Sequence, residues 1–159
     1  MVNRQQMHLR FIWVGKTKND HLRALVDDYL KRLGRFVRCE ITELRESKLR
    51  GVNQGIEDES KRIIGALRPN GAVVLLDIEG RESSSPALAA QIEKWQQNGT
   101  NEVIFVLGGH NGVSKEVAAM ADSRWSLSRL TLTHEMARVV VTEQLYRAYT
   151  IIHGLPYQK

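Results

Sequence analysis

Three stretches of this 159-residue chain carry residue types that could do chemistry. Residues 103–114, VIFVLGGHNGVS, run five apolar residues into Gly108-Gly109, then His110-Asn111, then Gly112. Glycine turns at strand ends often hold nucleotides, but the spacing here is G-G-x-x-G, not G-x-G-x-x-G, and it falls late in the chain, so the dinucleotide fingerprint is absent. No G-x-x-x-x-G-K-[ST] occurs, which argues against a P-loop. By themselves the glycines read as a tight turn, with Gly112 ending it and Ser114 capping the helix that follows. Residues 134–138, HEMAR, are one residue from the zinc-protease pattern H-E-x-x-H. Arg138 puts a cation where the second imidazole would be, and His8, His21, His110 and His153 are scattered, so no metal site is expected. There is no G-x-S-x-G elbow for a serine hydrolase. The last stretch, HGLPYQK, brings Tyr157 and Lys159 to the C-terminus, where a frayed tail is the competing reading.

The elements that would position these groups alternate. Residues 8–16, HLRFIWVGK, read as a strand, and a helix follows from Asp20 as N-cap, with Leu22, Leu25, Val26, Tyr29, Leu30 and Leu33 at spacings of three and four and Gly34 as its stop. Residues 36–44 form a second strand with imperfect alternation, and 46–55 a mobile, basic-edged loop. A helix over 56–67 leads to AVVLLDI, a continuous apolar strand of the buried parallel kind. Ser83-Ser84-Ser85-Pro86 opens the next helix, and 103–107 is again a buried strand. Residues 124–132 read as a short strand and a tight loop, and 135–152 as a long helix apolar over much of its circumference, hence buried on several sides. On that helix Arg138 and Arg147, with Glu135 and Glu143, would ordinarily be surface charges paired at i,i+4. Alternating strands and helices predict an α/β fold with a mostly parallel sheet, in one domain.

Composition narrows the class. Hydrophobic residues at 42% and charged residues at 26% fit a soluble globular protein, and no apolar run approaches the roughly 20 residues of a membrane span. Residues 1–7 read as an extension without a secretory h-region, preceding a domain over 8–159. Cys39 is the single cysteine, which points to a buried thiol in a reducing, cytoplasmic setting. A net charge of +5 favours a polyanionic partner.

Four segments taken together, LLDIEG (75–80), VIFVLGGHNGVS, WSLSRLTLTHEMARVVVTEQLYRAYTI (125–151) and the LPYQK ending, closely resemble in order and spacing the ribosomal RNA large subunit methyltransferase H family of the SPOUT class. The resemblance runs from His8 onward. It implies a SPOUT-type, mostly parallel sheet flanked by helices, a C-terminal trefoil knot and a homodimer. The implied reaction is methyl transfer from S-adenosyl-L-methionine to N3 of a pseudouridine in large-subunit (23S) ribosomal RNA on the assembled ribosome, without a metal. A SPOUT enzyme acting on tRNA, or a non-catalytic ribosome-binding factor, is the alternative.

The resemblance puts the cofactor contacts on Leu76, Gly108 and the loop Leu127, Ser128, Arg129, Leu130, Thr131 and Leu132, with Ile78, Gly80 and Gly109 near the same cleft. A glycine allows close backbone approach, and loop amides and carbonyls can bond an adenine that leucines cover. His134 is then the candidate acceptor of the N3 proton, with Glu135 a weaker one. Arg138 would stabilise developing negative charge or grip a phosphate, and Tyr157 would stack on a base. The family's tail typically reads Tyr-His and a basic residue; here Gln158 follows Tyr157, an amide that cannot exchange a proton, so the tail is expected to position the substrate.

Overall fold

The structure, a computed structural model, describes residues 6–158. Five strands and five helices alternate among them: β1 (His8–Val14), α1 (Asp20–Leu33), β2 (Arg38–Leu44), α2 (Val52–Ala66), β3 (Ala72–Arg81), α3 (Ser85–Gln97), β4 (Glu102–Leu107), α4 (Lys115–Met120), β5 (Ser123–Trp125) and α5 (His134–Ile152). The strands form one sheet in the order β2-β1-β4-β3-β5, every pair parallel. The α/β fold and parallel sheet are as the alternation predicted.

Both faces of the sheet are covered, which explains its continuous apolar strands. Leu9, Phe11 and Trp13 of β1 and Val103, Phe105 and Leu107 of β4 pack towards α1, α3 and α5. The intervening Ile12, Val14, Ile104 and Val106 pack towards α2 and α4. Every residue of β4 is buried. Helix α5 lies against both α1 and α3, so its apolar girth is buried as expected.

Local chemistry moves several boundaries. The α1 cap is Asn19, whose Oδ1 accepts from the His21 and Leu22 amides at 3.0 and 3.1 Å, and Asp20 sits in the first turn, where its charge suits the helix dipole. Helix α2 starts at Val52, four residues earlier than the sequence reading, because Gly55, a poor helix former, is held in the first turn by its bond to the Gly51 carbonyl at 2.8 Å. The segment before it is pinned, its Ser47 amide donating to Glu59 Oε2 at 2.9 Å. Thr133 caps α5 by accepting from the Met136 amide at 3.1 Å, which brings His134 into the helix. Met7, read as part of an extension, is buried in the core; residues 1–5 of that extension and Lys159 lie outside the described residues.

Where β3 runs past Leu76 its register with β5 breaks, and Trp125 pairs with both Leu76 and Arg81. A Cβ on Gly80 would come within 2.6 Å of the Arg124 carbonyl carbon, so the two chains cross too closely for any side chain there. At the opposite end of the sheet, buried Arg10 donates to Glu102 Oε1 at 2.9 Å and to the Ala66 carbonyl at 2.7 Å, while His8 Nε2 meets Glu102 Oε2 at 2.7 Å. No helix of the described residues is long and apolar enough to cross a membrane.

Candidate cofactor cleft at the strand ends

Parallel strands deliver all their C-terminal ends to one edge, and the loops leaving them enclose what that edge can bind. Here β3, β4 and β5 end around a cleft of about 510 Å³. Leu76 and Ile78 of β3 form one side, the turn from Gly108 to Ser114 another, and the loop between β5 and α5 the third.

The glycine turn is built for its shape. Gly112 donates to the Gly109 carbonyl at 2.9 Å and has φ +86°, the left-handed conformation that the end of such a turn requires. Ser114 caps α4, its Oγ accepting from the Val117 amide at 3.2 Å, and its own amide donates to Ser60 Oγ of α2 at 2.9 Å. A Cβ on Gly108 would lie 2.7 Å from Val113 Cγ1 and 3.1 Å from the Gly112 carbonyl. The turn itself therefore demands glycine at 108, whatever the cleft binds.

The loop after β5 is self-supporting. Ser126 Oγ donates to the Ser128 carbonyl at 2.9 Å, the Leu130 amide donates to Ser128 Oγ at 3.0 Å, and the Ser126 amide ties the loop to Arg81 at 3.0 Å. Leu127, Ser128, Leu130, Thr131 and Leu132 all face the cleft, as does Gly109. Arg129 does not: its side chain is 91% exposed and meets Glu82 at 3.4 Å. Gly80 lies outside the lining and serves the β3–β5 crossing.

His134, the first residue of α5, lines the cleft, with its ring 6.2 Å from that of His110. Burial, and then the charge of Arg138, push its pKa below the ordinary imidazole value, against the opposing pull of Glu135. Glu135 Oε2 lies 3.9 Å from His134 Nε2, while Oε1 accepts from the Asn19 amide at 3.0 Å, joining α5 to the start of α1.

Arg138 is neither on the cleft wall nor on the surface. It is 0% exposed, donates to Val14 O at 2.7 Å and Thr17 Oγ1 at 2.9 Å, and stacks 4.9 Å above the Trp13 ring. From there it cannot reach a phosphate, and the surface ion pair that its position suggested is not made. Arg147 does make one, with Glu143 at 2.6 Å.

Tyr157 lies apart from the cleft of its own chain. Its hydroxyl donates to Glu143 Oε1 at 2.9 Å, its ring meets Tyr146 edge-on at 4.8 Å, and Arg147 reaches Gln158 Oε1 at 2.9 Å. Glu143 stands nine residues along α5 from His134, roughly 13 Å at helical rise. Sequence reasoning also missed Asp77 and Arg124, an ion pair on the cleft rim with Nε to Oδ2 at 3.0 Å. Burial alone would raise the Asp77 pKa, but bonds from Arg124 and the Glu79 amide hold it below the usual range. The available signal was a carboxylate directly after the apolar run 72–76 of β3, near the edge at which open α/β sheets meet ligands. Among the described residues no three metal-ligating side chains come together.

This sheet order, with a cleft at the ends of its later strands, goes with a match over residues 7–158 to the family model described as predicted SPOUT methyltransferase. That defines the class. Ribosomal RNA large subunit methyltransferase H of Geotalea daltonii is 42% identical over 151 residues, covering 95% of this chain and 99% of its own. The protein of the same name from Anaeromyxobacter dehalogenans is 40% identical over 154 residues, covering 96% and 100%. The chain belongs to the ribosomal RNA large subunit methyltransferase H family. The crystal structure of the SpoU methyltransferase AviRb from Streptomyces viridochromogenes shares the fold, with TM-score 0.51 at 11% identity over 97% of this chain and 63% of that one.

Proposed function

We propose that this protein transfers the methyl group of S-adenosyl-L-methionine to N3 of a pseudouridine in 23S ribosomal RNA, on the assembled ribosome in the cytoplasm, and works as a homodimer. The observation that carries this reading is convergence: Leu76, Gly108, Leu127, Ser128, Leu130, Thr131 and Leu132, from three separate segments, all face one cleft, in a chain related over nearly its whole length to ribosomal RNA methyltransferases.

The cleft suits that cofactor. Leucine side chains offer apolar faces for an adenine, and backbone groups of the 126–132 loop, Arg129 included, offer donors and acceptors for its edge. When bound, S-adenosyl-L-methionine supplies an electrophilic methyl carbon. The chain's own task is to hold the target nitrogen in line with that carbon, exclude water, and take away one proton. His134 does the last: its depressed pKa leaves the imidazole neutral at pH 7, and the N3 proton passes to a ring nitrogen and then to solvent. Tyr157, being remote from its own cleft, stacks on the target in the cleft of the second copy. The trefoil knot that the family resemblance implies, in which the chain leading into α5 threads an earlier loop, is part of this reading.

Labelled S-adenosyl-L-methionine offered with assembled ribosomes, separate subunits and tRNA, followed by mapping of the modified nucleotide, tests the proposal. Label at one pseudouridine of 23S RNA in assembled ribosomes is the expected result. Label confined to tRNA overturns the substrate, and failure to bind the cofactor at millimolar concentration overturns catalysis in favour of a ribosome-binding factor.

A further inference from the structure

An enclosed guanidinium without a carboxylate partner is an expensive feature, because burial of a charge is normally offset by an opposite one. Arg138 is such a group. Its hydrogen bonds go to two neutral oxygens, Val14 O and Thr17 Oγ1; its Nε has no partner at all; and its plane rests on the Trp13 ring. Glu135, Glu43 and Glu46 act on it only from a distance, and burial outweighs them in lowering its pKa.

The groups around Arg138 say what the charge acts on. Val14 ends β1, with its Cγ1 3.7 Å from where a Cβ on the cleft residue Gly109 would sit, and Thr17, itself buried, follows it, so the two bonds fix the chain behind the glycine turn. Four residues back along the same face of α5 is His134, which lines the cleft. We infer that Arg138 is a positioning residue: its uncompensated charge, one helical turn from His134, keeps that imidazole free to accept a proton, while its two donated bonds tie α5 to the end of β1 and to Thr17.

A buried cation sharing a face of α5 with a histidine disfavours a second positive charge there. The other groups facing His134 divide. His110, across the cleft on the glycine turn, works in the same direction as Arg138, whereas Glu135 on α5 and Glu46 after β2 work against it. Without Arg138 burial would still press the pKa down, but among the charges the two carboxylates would outweigh His110, and the imidazole would hold its proton to higher pH than in the intact protein. This role rests on the proposed use of His134 as proton acceptor, yet it has a readout of its own.

The experiment follows the His134 ring through a pH titration by NMR in the intact protein, the Arg138→Met and Arg138→Lys variants, and Thr17→Val. In Arg138→Met the titration moves up, and methyl transfer from S-adenosyl-L-methionine to ribosomes falls severalfold more at pH 6 than at pH 8. Arg138→Lys cannot reach both oxygens in the same fork, and a lysine enclosed there without a carboxylate gives up its charge, so the titration again moves up and kcat drops at every pH. Thr17→Val leaves the titration unmoved. An unchanged titration in folded Arg138→Met overturns the inference; should that variant not fold, an unchanged titration in Arg138→Lys overturns it equally. These outcomes are distinct from failure of the proposed function, in which the titrations behave as described and no ribosomal RNA is methylated by any of the proteins.

Discussion

His8 Nε2 and Glu102 Oε2 meet at 2.7 Å across the first residues of β1 and β4, although 94 positions separate them in the chain. Glu102 is 7% exposed and also takes the Arg10 guanidinium at 2.9 Å. Burial by itself would raise the carboxyl pKa, but the bonds from Arg10 and His8 bring it below the usual range. A depressed carboxylate contributes stability that is complete above its unfolded pKa and is lost as pH falls through the folded one. Glu102→Gln should therefore cost about 3 kcal/mol at pH 7, since it leaves Arg10 buried and unpaired. It should also flatten the acid side of the stability curve, and urea titrations of the two proteins at pH 3, 5 and 7 measure both effects.

At the glycine turn the expected outcome is a coupled loss. Gly108→Val places branched carbon where Val113 Cγ1 already sits at 2.7 Å from an ideal Cβ. Overpacking of this kind costs roughly 1–3 kcal/mol, so the variant should lose both cofactor affinity and several degrees of Tm. Calorimetry of S-adenosyl-L-methionine binding alongside thermal unfolding checks this; an affinity loss with unchanged Tm would mean that the turn tolerates the side chain and only the ligand does not.

His134→Ala should leave cofactor affinity within about twofold while lowering kcat by roughly a hundredfold or more, the usual contribution of a general base. Because the ring pKa is depressed, the acid limb of kcat/KM in the intact protein should fall below the ordinary imidazole range near 6.5. A limb centred above it would assign the proton to another group.

Tyr157 gives a complementation test. If the tail of one copy serves the cleft of the other, His134→Ala and Tyr157→Ala dimers should each be weak. A subunit-exchanged one-to-one mixture should regain about a quarter of full activity, since half of the dimers are mixed and each of these has one intact site. No recovery after verified exchange would confine the tail to its own chain.

What the sequence disclosed was what short range determines. The three- and four-residue spacing from Leu22 to Leu33 placed α1, Ser84 before Ser85-Pro86 placed the start of α3, and Gly112 and Ser114 placed the turn and the α4 cap. The cleft-lining loop was placed by the family resemblance, since its own residues mark no more than a short strand and a tight loop. Strand order was not, since β1 and β4 pair through contacts nearly a hundred residues apart. The setting of Arg138 escaped for the same reason: its partners, Val14 and Thr17, lie more than a hundred positions away, and an arginine on a helix that also carries Glu135 and Glu143 reads as a paired surface charge. Glu102, at the start of β4, and Asp77, within β3, likewise carried no local mark of the arginines that hold them.

The sheet order bears on how the molecule is made. β1 is an interior strand, yet one of its two neighbours, β4, is completed only at Leu107, so a growing chain presents the apolar edge of β1 long before it can be covered. Pairing at such sequence distance is slow, and unpaired strand edges invite association. Synthesis of the first hundred residues should thus be the interval of greatest exposure to chaperones and to aggregation, and fragments ending before β4 should be insoluble while the whole chain is not.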